Sequence, residues 1–349
     1  MKIDILQRSE IGRIALAQWQ QLSKDSVFIN PFYEPWCLLP AVRYLEPHKK
    51  VFIVTAYERD RLVALFPVVL KRAWLSIRHI TIWKHSHCFL SDPLCLEESH
   101  LPLMMDAVAQ RLSATLFQIK NHSPFPSSLY TGRVGFVITS TRGAIFNTGN
   151  VQRHFDALPR KRRAENGRVI RRLMGSGDVT YLTSRNVSDI DWLETYCALE
   201  HAGWKGRRKV SIFSSRGASR YYREVDAEGR KMGLIEFQGI FEGSSPLAVS
   251  FRIVSRDCAF ELKTTYNEKF KKRYPGVVLE LLNIETLGKS NFAMVDSCTS
   301  SNNYLVNRLW PDRREICNSF YFSDSHFGRL VKSVFETAIR LRMRFSDES

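Results

Sequence analysis

The sequence predicts an α/β (α+β) protein with two domains, each a mixed, largely antiparallel sheet flanked by helices. Its 349 residues are more than one hydrophobic core usually serves. Short β-branched and aromatic runs alternate with helical patterns in the first half, and three strand patterns later follow one another across short turns. A stretch rich in Ser, Pro, Gly, Asn and Thr at residues 120–150 reads as a domain junction. We therefore expect an N-terminal domain at 1–150 and a C-terminal domain at 151–349.

The chain is strongly basic. It has 51 Lys and Arg against 35 Asp and Glu, a formal charge of +16, and a pI near 9.7. Such a charge attracts polyanions, among them nucleic acids, phosphorylated cofactors, sugar nucleotides and anionic lipid surfaces. The 44% hydrophobic and 25% charged composition is ordinary for a soluble protein and does not indicate extended disorder.

Several classes of protein are disfavoured by the sequence. The seven cysteines are scattered without a CxxC pair, so neither a zinc site nor a redox motif is expected. His85 and His87 lack a third metal ligand nearby, and no metal is expected. The charged N-terminus does not resemble a signal peptide, and no run of eighteen apolar residues predicts a transmembrane helix. These features predict a cytoplasmic protein.

The first half contains a clear hairpin pattern. Residues 51–57 and 62–70 are strand-like and are joined by a polar turn, with Pro67 best placed at a sheet edge or a bulge. A helix is predicted over 101–112 and a strand over 113–119. In the second half, strands are predicted over 179–182, 232–241, 246–254, 258–266 and 292–295, and an apolar helix over 277–285.

The first candidate site is a basic helix that begins after Pro159. Seven basic side chains accompany one acid, Glu165, between residues 158 and 173. Arg160, Arg163 and Arg171 share one face, while Val169 and Leu173 point to the core. This face could bind cofactor phosphate or nucleic acid. An ordinary solvated amphipathic helix explains the pattern equally well.

The second candidate is the segment Leu199-Glu-His-Ala-Gly-Trp-Lys-Gly-Arg207, in which a helix ends near Gly203. Glycine at a helix end is common and carries little information by itself. Trp204 and Lys205 presented together on a tight turn are less usual. Lys205 could place a point charge on a phosphate or a carboxylate.

The third candidate runs from Phe260 to Gly276, where a strand leads through a basic loop into the apolar helix. The free N–H groups and the dipole of a helix N-terminus favour a pyrophosphate. Lys269, Lys271, Lys272 and Arg273 add positive charge around Tyr274-Pro-Gly276. Many helices begin after Pro-Gly without binding anything, so this pattern alone is weak evidence.

The fourth candidate is Asp296, at the end of a predicted strand, where α/β folds often place functional groups. A carboxylate that caps the following turn is the simpler explanation. Cys298 has no histidine at a matching spacing and is not expected to be a nucleophile.

The order of these motifs resembles the CelD-like (cellulose-biosynthesis-associated) acyltransferases. They are a GNAT branch related to the FemABX aminoacyl transferases. The resemblance rests on the basic helix, Gly203-Trp-Lys-Gly206, the three strands, Tyr266-Asn with Tyr274-Pro-Gly276, and Asp296. It is strongest between residues 155 and 310. Residues 30–36 also resemble the opening motif of the family. Members of the family have two GNAT-type domains in tandem, so the resemblance implies two tandem GNAT-like domains here.

The resemblance implies an acyl-CoA held between splayed strands of the 232–266 meander, with its pyrophosphate at the following helix. An amine acceptor would attack the thioester directly and would bind between the domains. The implied catalytic residues are Lys205, Tyr266 as proton donor and Asp296 as base or orienting group. Trp204 and Trp36 are implied in substrate binding. The implied donor-binding residues are Arg171, Arg172, Lys269, Lys272, Tyr274, Pro275 and Gly276.

The predicted function is an N-acyltransferase that uses acyl-CoA or acetyl-CoA and acts on a sugar or envelope (exopolysaccharide) precursor. One alternative is a FemABX-like transferase whose donor is an aminoacyl-tRNA, although no coiled-coil arm is evident. Another is a non-catalytic module, built on a GNAT scaffold, that binds nucleic acid or assists envelope assembly. Nucleic acid is thus a second, less favoured partner, and the sequence leaves the oligomeric state open.

Overall fold

A computed structural model describes residues 1–72, 77–125, 134–175, 177–310 and 312–347. The chain divides into two compact units. Unit 1 comprises residues 1–35, 47–140 and 315–349, and unit 2 comprises residues 36–46 and 141–314. Each unit combines segments that are distant in sequence, whereas the sequence predicted a single division at residue 150.

The described strands, in chain order, are β1 (Lys2–Gln7), β2 (Val51–Glu58), β3 (Arg61–Arg72), β4 (Arg78–Ile82), β5 (Leu94–Cys95), β6 (Leu116–His122), β7 (Val134–Phe146), β8 (Val179–Thr183), β9 (Ile235–Glu242), β10 (Ser245–Ser255), β11 (Cys258–Tyr266), β12 (Met294–Asp296) and β13 (Asp312–Phe322). The helices are α1 (Leu16–Asp25), α2 (Pro35–Tyr44), α3 (His100–Arg111), α4 (Val151–Asp156), α5 (Arg160–Met174), α6 (Trp192–Ala202), α7 (Trp204–Arg207), α8 (Arg216–Lys231), α9 (Pro275–Leu287), α10 (Tyr304–Leu309) and α11 (His326–Asp347). Short 3-10 helices cover Arg8–Arg13, Pro31–Tyr33, Thr148–Asn150, Ile212–Ser214 and Glu268–Arg273.

The sheet of unit 1 has the strand order β1-β2-β3-β4-β6-β13. The pairs β1–β2, β2–β3 and β3–β4 are antiparallel, β4–β6 is parallel, and β6–β13 is antiparallel. Pro67 lies in β3 between the positions that pair with β5 and those that pair with β4. The proline, which has no N–H, therefore lies where β3 changes its neighbour.

The sheet of unit 2 has the order β8-β9-β10-β11-β12-β7 and repeats the same pattern. The pairs β8–β9, β9–β10 and β10–β11 are antiparallel, β11–β12 is parallel, and residues 144–146 of β7 pair antiparallel with β12. In each unit a helix, α3 or α9, connects the two parallel strands. This helix is needed because parallel strands require a crossover connection.

Helices cover both faces of the unit 2 sheet because side chains alternate along each strand. On one face, Trp192 and Tyr196 of α6 and Tyr222 of α8 lie against Phe237 and Phe251. On the other, Leu173 of α5 and Val278 and Leu279 of α9 pack with Ile240 and Ala248. The sheet thus separates the α6–α8 face from the α5–α9 face.

The predicted fold class, mixed and largely antiparallel sheets flanked by helices, is confirmed. The predicted strand 258–266 has the bounds of β11, and the predicted helix 277–285 lies within α9. The chain passes from unit 1 to unit 2 between residues 140 and 141, within the expected junction at 120–150, and the 13-residue strand β7 spans that point. Its Val, Phe, Ile and Thr residues support a strand although Ser and Gly interrupt them.

Candidate functional site

An opening in the unit 2 sheet lies between the parallel strands β11 and β12. The two strands pair at only three positions, the last being Phe260 with Asp296. β11 then continues for six residues to Tyr266, with no partner on that side among the described strands. The strands of the 232–266 meander, by contrast, stay paired with one another. The expectation that both splayed strands belong to the meander was therefore wrong, since the second one is β12.

A β-bulge lies directly beyond the point where β11 leaves β12. Phe251 of β10 pairs with Lys263 and Arg252 pairs with Glu261, so Leu262 has no partner on β10. The extra residue directs Glu261 and Lys263 to opposite faces of the sheet. Bulges often lie beside active sites, where they redirect side chains and leave backbone groups unpaired. Here the bulge lies in the same part of β11 as the opening.

The N-terminus of α9 lies at the end of the loop that follows β11. The 3-10 helix Glu268–Arg273 carries the exposed side chains of Lys269, Lys271 and Lys272. Tyr274, with a left-handed φ of 56°, precedes Pro275 at the start of α9. Such a conformation is costly for a residue other than glycine and is found often at binding sites. A side chain added at Gly276 would lie 3.3 Å from the Tyr266 ring, so this glycine allows the ring to cover the N-terminus of α9. We call this N-terminus, at Tyr274-Pro275-Gly276, the α9 mouth.

The basic helix α5 lies beside this mouth. It packs against α9 and the 3-10 helix of the basic loop, and its Leu173 belongs to the same hydrophobic cluster as Val278 and Phe270. Arg171 and Arg172, in its last turn, are exposed. The predicted donor-binding residues of α5, the basic loop and α9 are therefore grouped in one region of unit 2.

Lys205 lies on the other face of the sheet and is paired with a buried carboxylate. Its Nζ is 2.8 Å from Oε1 of Glu200, which is 1% exposed. The same oxygen accepts from the Tyr196 hydroxyl at 2.9 Å, and Oε2 accepts from the Ile212 amide at 2.8 Å. Burial favours a higher pKa for Glu200, but the charge of Lys205 and these hydrogen bonds outweigh it and lower the pKa.

Glu268 connects the Trp204–Lys205 segment to the basic loop. Its Oε1 accepts from the Trp204 amide at 2.7 Å, and its Oε2 lies 2.6 Å from the Arg207 guanidinium. Trp204 is 45% exposed, with the Arg208 guanidinium over its ring. Gly206 is essential to this turn because a Cβ there would lie 1.7 Å from the His201 carbonyl oxygen. The second and third candidate motifs are thus in contact.

Asp296 is fully buried between two guanidinium groups. Its Oδ2 is 2.5 Å from Arg142 and 2.6 Å from Arg314, and its Oδ1 accepts from the Cys298 amide. It is level with Phe260, whereas the six following residues of β11 place Tyr266 about 20 Å further along the strand. Because both carboxylate oxygens are occupied, the geometry favours an orienting role over that of a base.

Trp36 lies in a different part of unit 2. It is 8% exposed, and its ring would be 2.8 Å from a Cβ added at Gly229 of α8. This places Trp36 in the packing of α2 against α8 and not beside the mouth of α9.

Sequence reasoning missed a buried charge network on the α9 face. Arg252 bonds Glu236 at 3.0 Å and Glu261 at 3.1 Å. Glu280 of α9 accepts from the Trp310 indole at 2.6 Å, and burial together with the nearby Glu261 charge raises its pKa to about 7. A single glutamate inside the apolar run of residues 277–282 was the available signal. Isolated charges in apolar helices are rarely buried without a role.

Membrane spans and metal clusters are both absent from the described ranges. No helix within them is both long and apolar enough to cross a bilayer. The same ranges contain no cluster of three or more His, Cys, Asp or Glu side chains arranged to hold a metal ion.

Comparisons with known proteins agree with this geometry. Residues 160–304 match the family described as acetyltransferase (GNAT) domain. No curated protein matches the chain significantly. The matched residues 160–304 contain the opening between β11 and β12, the bulge and the α9 mouth.

Solved structures share the fold over nearly the whole chain. The FemX crystal structure is 9% identical, covers 95% of this chain and 100% of its own, and has a TM-score of 0.56. L-PGS from Bacillus licheniformis is 11% identical, with coverage of 90% and 94% and a TM-score of 0.55. The C-terminal domain of a putative lysylphosphatidylglycerol synthetase from Agrobacterium fabrum is 11% identical, with coverage of 92% and 96% and a TM-score of 0.53. At such low identity these structures show the fold alone. Residues 160–304 are therefore similar to a GNAT acetyltransferase domain in sequence, within a chain that has a GNAT-like fold.

Proposed function

We propose that unit 2 is a GNAT-type N-acyltransferase that moves an acyl group from acyl-CoA to an amine acceptor, and that the protein belongs to the CelD-like branch. The observation that carries the proposal is that β11 separates from β12 beside the Leu262 bulge and near the α9 mouth with its basic residues. A sugar amine or another envelope or exopolysaccharide precursor is the proposed acceptor, by resemblance to that branch, and the cytoplasm the proposed location.

The residues at the α9 mouth fit the phosphates of a CoA donor. Lys269, Lys272, Arg171 and Arg172 are exposed there, and the first N–H groups of α9 together with its dipole favour an anion. Tyr274, Pro275 and Gly276 shape the approach, and Tyr266 covers it. This position favours donor binding for Tyr266 over the predicted proton transfer.

The opening supplies the remaining requirements of acyl transfer. The free edge of β11 offers backbone hydrogen bonds to an extended donor arm. In this proposal a backbone N–H at the Leu262 bulge stabilises the negative charge that develops on the thioester oxygen. Trp204 and Lys205 border the α6 face, from which the acceptor would approach. Asp296 orients Arg142 and Arg314 at the base of the opening.

The test is a thermal-shift assay with CoA, acetyl-CoA and a longer acyl-CoA. A donor at one hundred times its dissociation constant should stabilise the protein by about 2.7 kcal/mol. Lys269→Glu and Lys272→Glu should each reduce the shift, because they reverse charge at the α9 mouth. Lys289→Glu, an exposed change just after the other end of the same helix, is the matched control and should leave it unchanged.

A FemX-like transferase with an aminoacyl-tRNA donor is the second candidate. It is favoured by the FemX fold over 95% of the chain and by the +16 charge. Absence of any CoA shift, together with transfer from a charged tRNA, would select it. Absence of both, with steeply salt-dependent binding of arbitrary nucleic acid, would instead indicate the non-catalytic binding module.

A further inference from the structure

Two lysines, Lys263 of β11 and Lys205 of α7, lie near the Glu200 carboxylate on the α6 face of the unit 2 sheet. Glu200 already has three hydrogen-bond donors, from Tyr196, Lys205 and Ile212, at 2.8–2.9 Å. Two of them share Oε1, and the third uses Oε2. None of these three donors is the second lysine, Lys263.

Lys263 shares the negative charge of Glu200 with Lys205. It follows the bulged Leu262 on β11 and is partly buried, and its side chain has no hydrogen bond or ion pair with the described residues. Burial lowers its pKa, the charge of Glu200 opposes that shift, and Lys205 adds to it. Burial raises the pKa of the neighbouring Cys197 to about 12, so this thiol is neutral and does not balance the charge.

The Lys263 ammonium lies beside the opening without a hydrogen bond among the described residues, so it can pair with an anion from outside the chain. The proposed donor places its phosphates at the α9 mouth, on the other face of the sheet. An anion that reaches Lys263 must therefore belong to the second substrate. Lys205 is nearby and adds a second positive charge.

We propose that Lys263, supported by Lys205, forms a specificity subsite for an anionic oxygen group, a carboxylate or a phosphate, on the amine acceptor. The inference rests on the proposed transferase function and narrows its acceptor to an anionic amine. A lysine ammonium is a compact point charge that suits either group. A neutral acceptor leaves the ammonium unpaired, so the site should discriminate strongly against it.

The first experiment compares three matched acceptors: glucosamine, glucosamine 6-phosphate and glucosaminic acid, which are neutral, phosphorylated and carboxylated. We expect kcat/KM for at least one anionic amine to exceed that for glucosamine by about 100-fold. The preferred anionic amine identifies the group as phosphate or carboxylate. Equal turnover of all three by the wild-type protein would overturn the proposal.

Two variants assign the preference to Lys263. Lys263→Met removes the charge at similar length, and it should abolish the preference, mainly through KM for the anionic acceptor. Lys263→Arg retains the charge and should retain most of the preference. Lys289→Met is the control for loss of a lysine elsewhere. An unchanged preference in Lys263→Met would reject the assignment.

A second measurement needs no turnover. The side-chain NMR signal of Lys263, assigned by comparison with Lys263→Met, should report a pKa below those of exposed lysines. Glucosamine 6-phosphate or glucosaminic acid should raise that pKa, while glucosamine should not. A Lys263 signal that responds to neither anionic probe would overturn the subsite, whether or not acyl-CoA binds. Conversely, a response to the probes without any donor shift would leave the subsite standing and reject only the acyl-CoA function.

Discussion

Each unit contains two parallel strands joined by a helix, but the residues around this connection differ between the units. In unit 1, β4 leads through α3 to β6; in unit 2, β11 leads through α9 to β12. The residues before α3 include Glu97 and Glu98, whereas Lys271, Lys272 and Arg273 precede α9. Acidic groups at a helix N-terminus repel phosphate, and basic groups attract it. The comparison indicates that only the unit 2 connection is suited to a phosphorylated donor.

The buried side chains beside the two connections also differ in charge. Beside β11 and β12 are the buried charges of Arg252, Glu236, Glu280 and Asp296. Beside β4 and β6 the described buried polar groups include Thr81, Gln118 and His122 and one carboxylate, that of Asp92, which accepts from the Ser123 amide and hydroxyl. Buried ion networks seldom add stability over apolar residues of similar size, so they often mark functional regions. We interpret unit 1 as a scaffold with the same topology and unit 2 as the functional half.

The largest expected effect is that of Arg252→Met, which leaves Glu236 and Glu261 without their shared cation in the core. Unit 2 should lose about 3–5 kcal/mol of unfolding free energy. Urea denaturation followed by hydrogen–deuterium exchange of peptides from each unit measures the loss separately. Arg61→Met, which removes an exposed pair with Asp25 in unit 1, is the control and should cost less than about 1 kcal/mol. A similar small loss for both variants would remove the distinction between the units.

A smaller effect is expected from Glu280→Gln, and it depends on pH. The folded pKa near 7 exceeds the ordinary value of 4.5, so the folded state holds the proton more tightly than the unfolded state. This stability is complete below pH 4.5 and is lost as the pH rises through 7, by up to about 3 kcal/mol. Glutamine does not titrate and can still accept from Trp310. The variant should therefore be less sensitive to alkali than the wild type between pH 5 and 8, and parallel pH curves would contradict the assignment.

The smallest effect concerns His79 of β4, in the unit 1 connection. Its contribution to stability depends on pH in the opposite direction from that of Glu280. Burial, with the charges of Lys71 and Lys120, lowers its pKa from 6.5 to about 4. The unfolded state then binds the proton more readily, so this stability is complete above pH 6.5 and is lost as the pH falls towards 4. Because His79 is only half-buried and water screens its charge, the expected loss is about 1 kcal/mol. In the same exchange experiment, His79→Gln should reduce the loss of unit 1 stability between pH 6.5 and 4. An unchanged loss would reject this role.

The sequence predicted much of unit 2 because its signals are local. The meander, the apolar helix with Pro-Gly at its start and the basic helix after Pro159 each follow from neighbouring residues. Lys205, Trp204 and the α9 mouth were proposed as site residues in the same way, since glycines and clustered charges are visible in a short window.

Features that depend on distant residues were not predicted. Asp296 was recognised at a strand end, but its partners Arg142 and Arg314 lie on other strands. Lys263 and Glu261 look like the solvent face of an alternating strand, and only the bulge at Leu262 shows that they face opposite sides. Strand β13 was missed because its charged first half hides the pattern of its apolar second half.

The last strand of unit 1 has a consequence for synthesis of the chain on the ribosome. β6 pairs on one side with residues 317–322 of β13, and His122 bonds Ser319 across 197 residues of sequence. At about 5–20 residues per second, these residues emerge roughly 10–40 s after β6. Until then β6 is an open sheet edge, the kind of edge that favours aggregation or recognition by chaperones. Unit 1 thus begins to be synthesised first but is completed last. Chains that end before β13 should therefore be degraded or aggregate, even when all of unit 2 has been made.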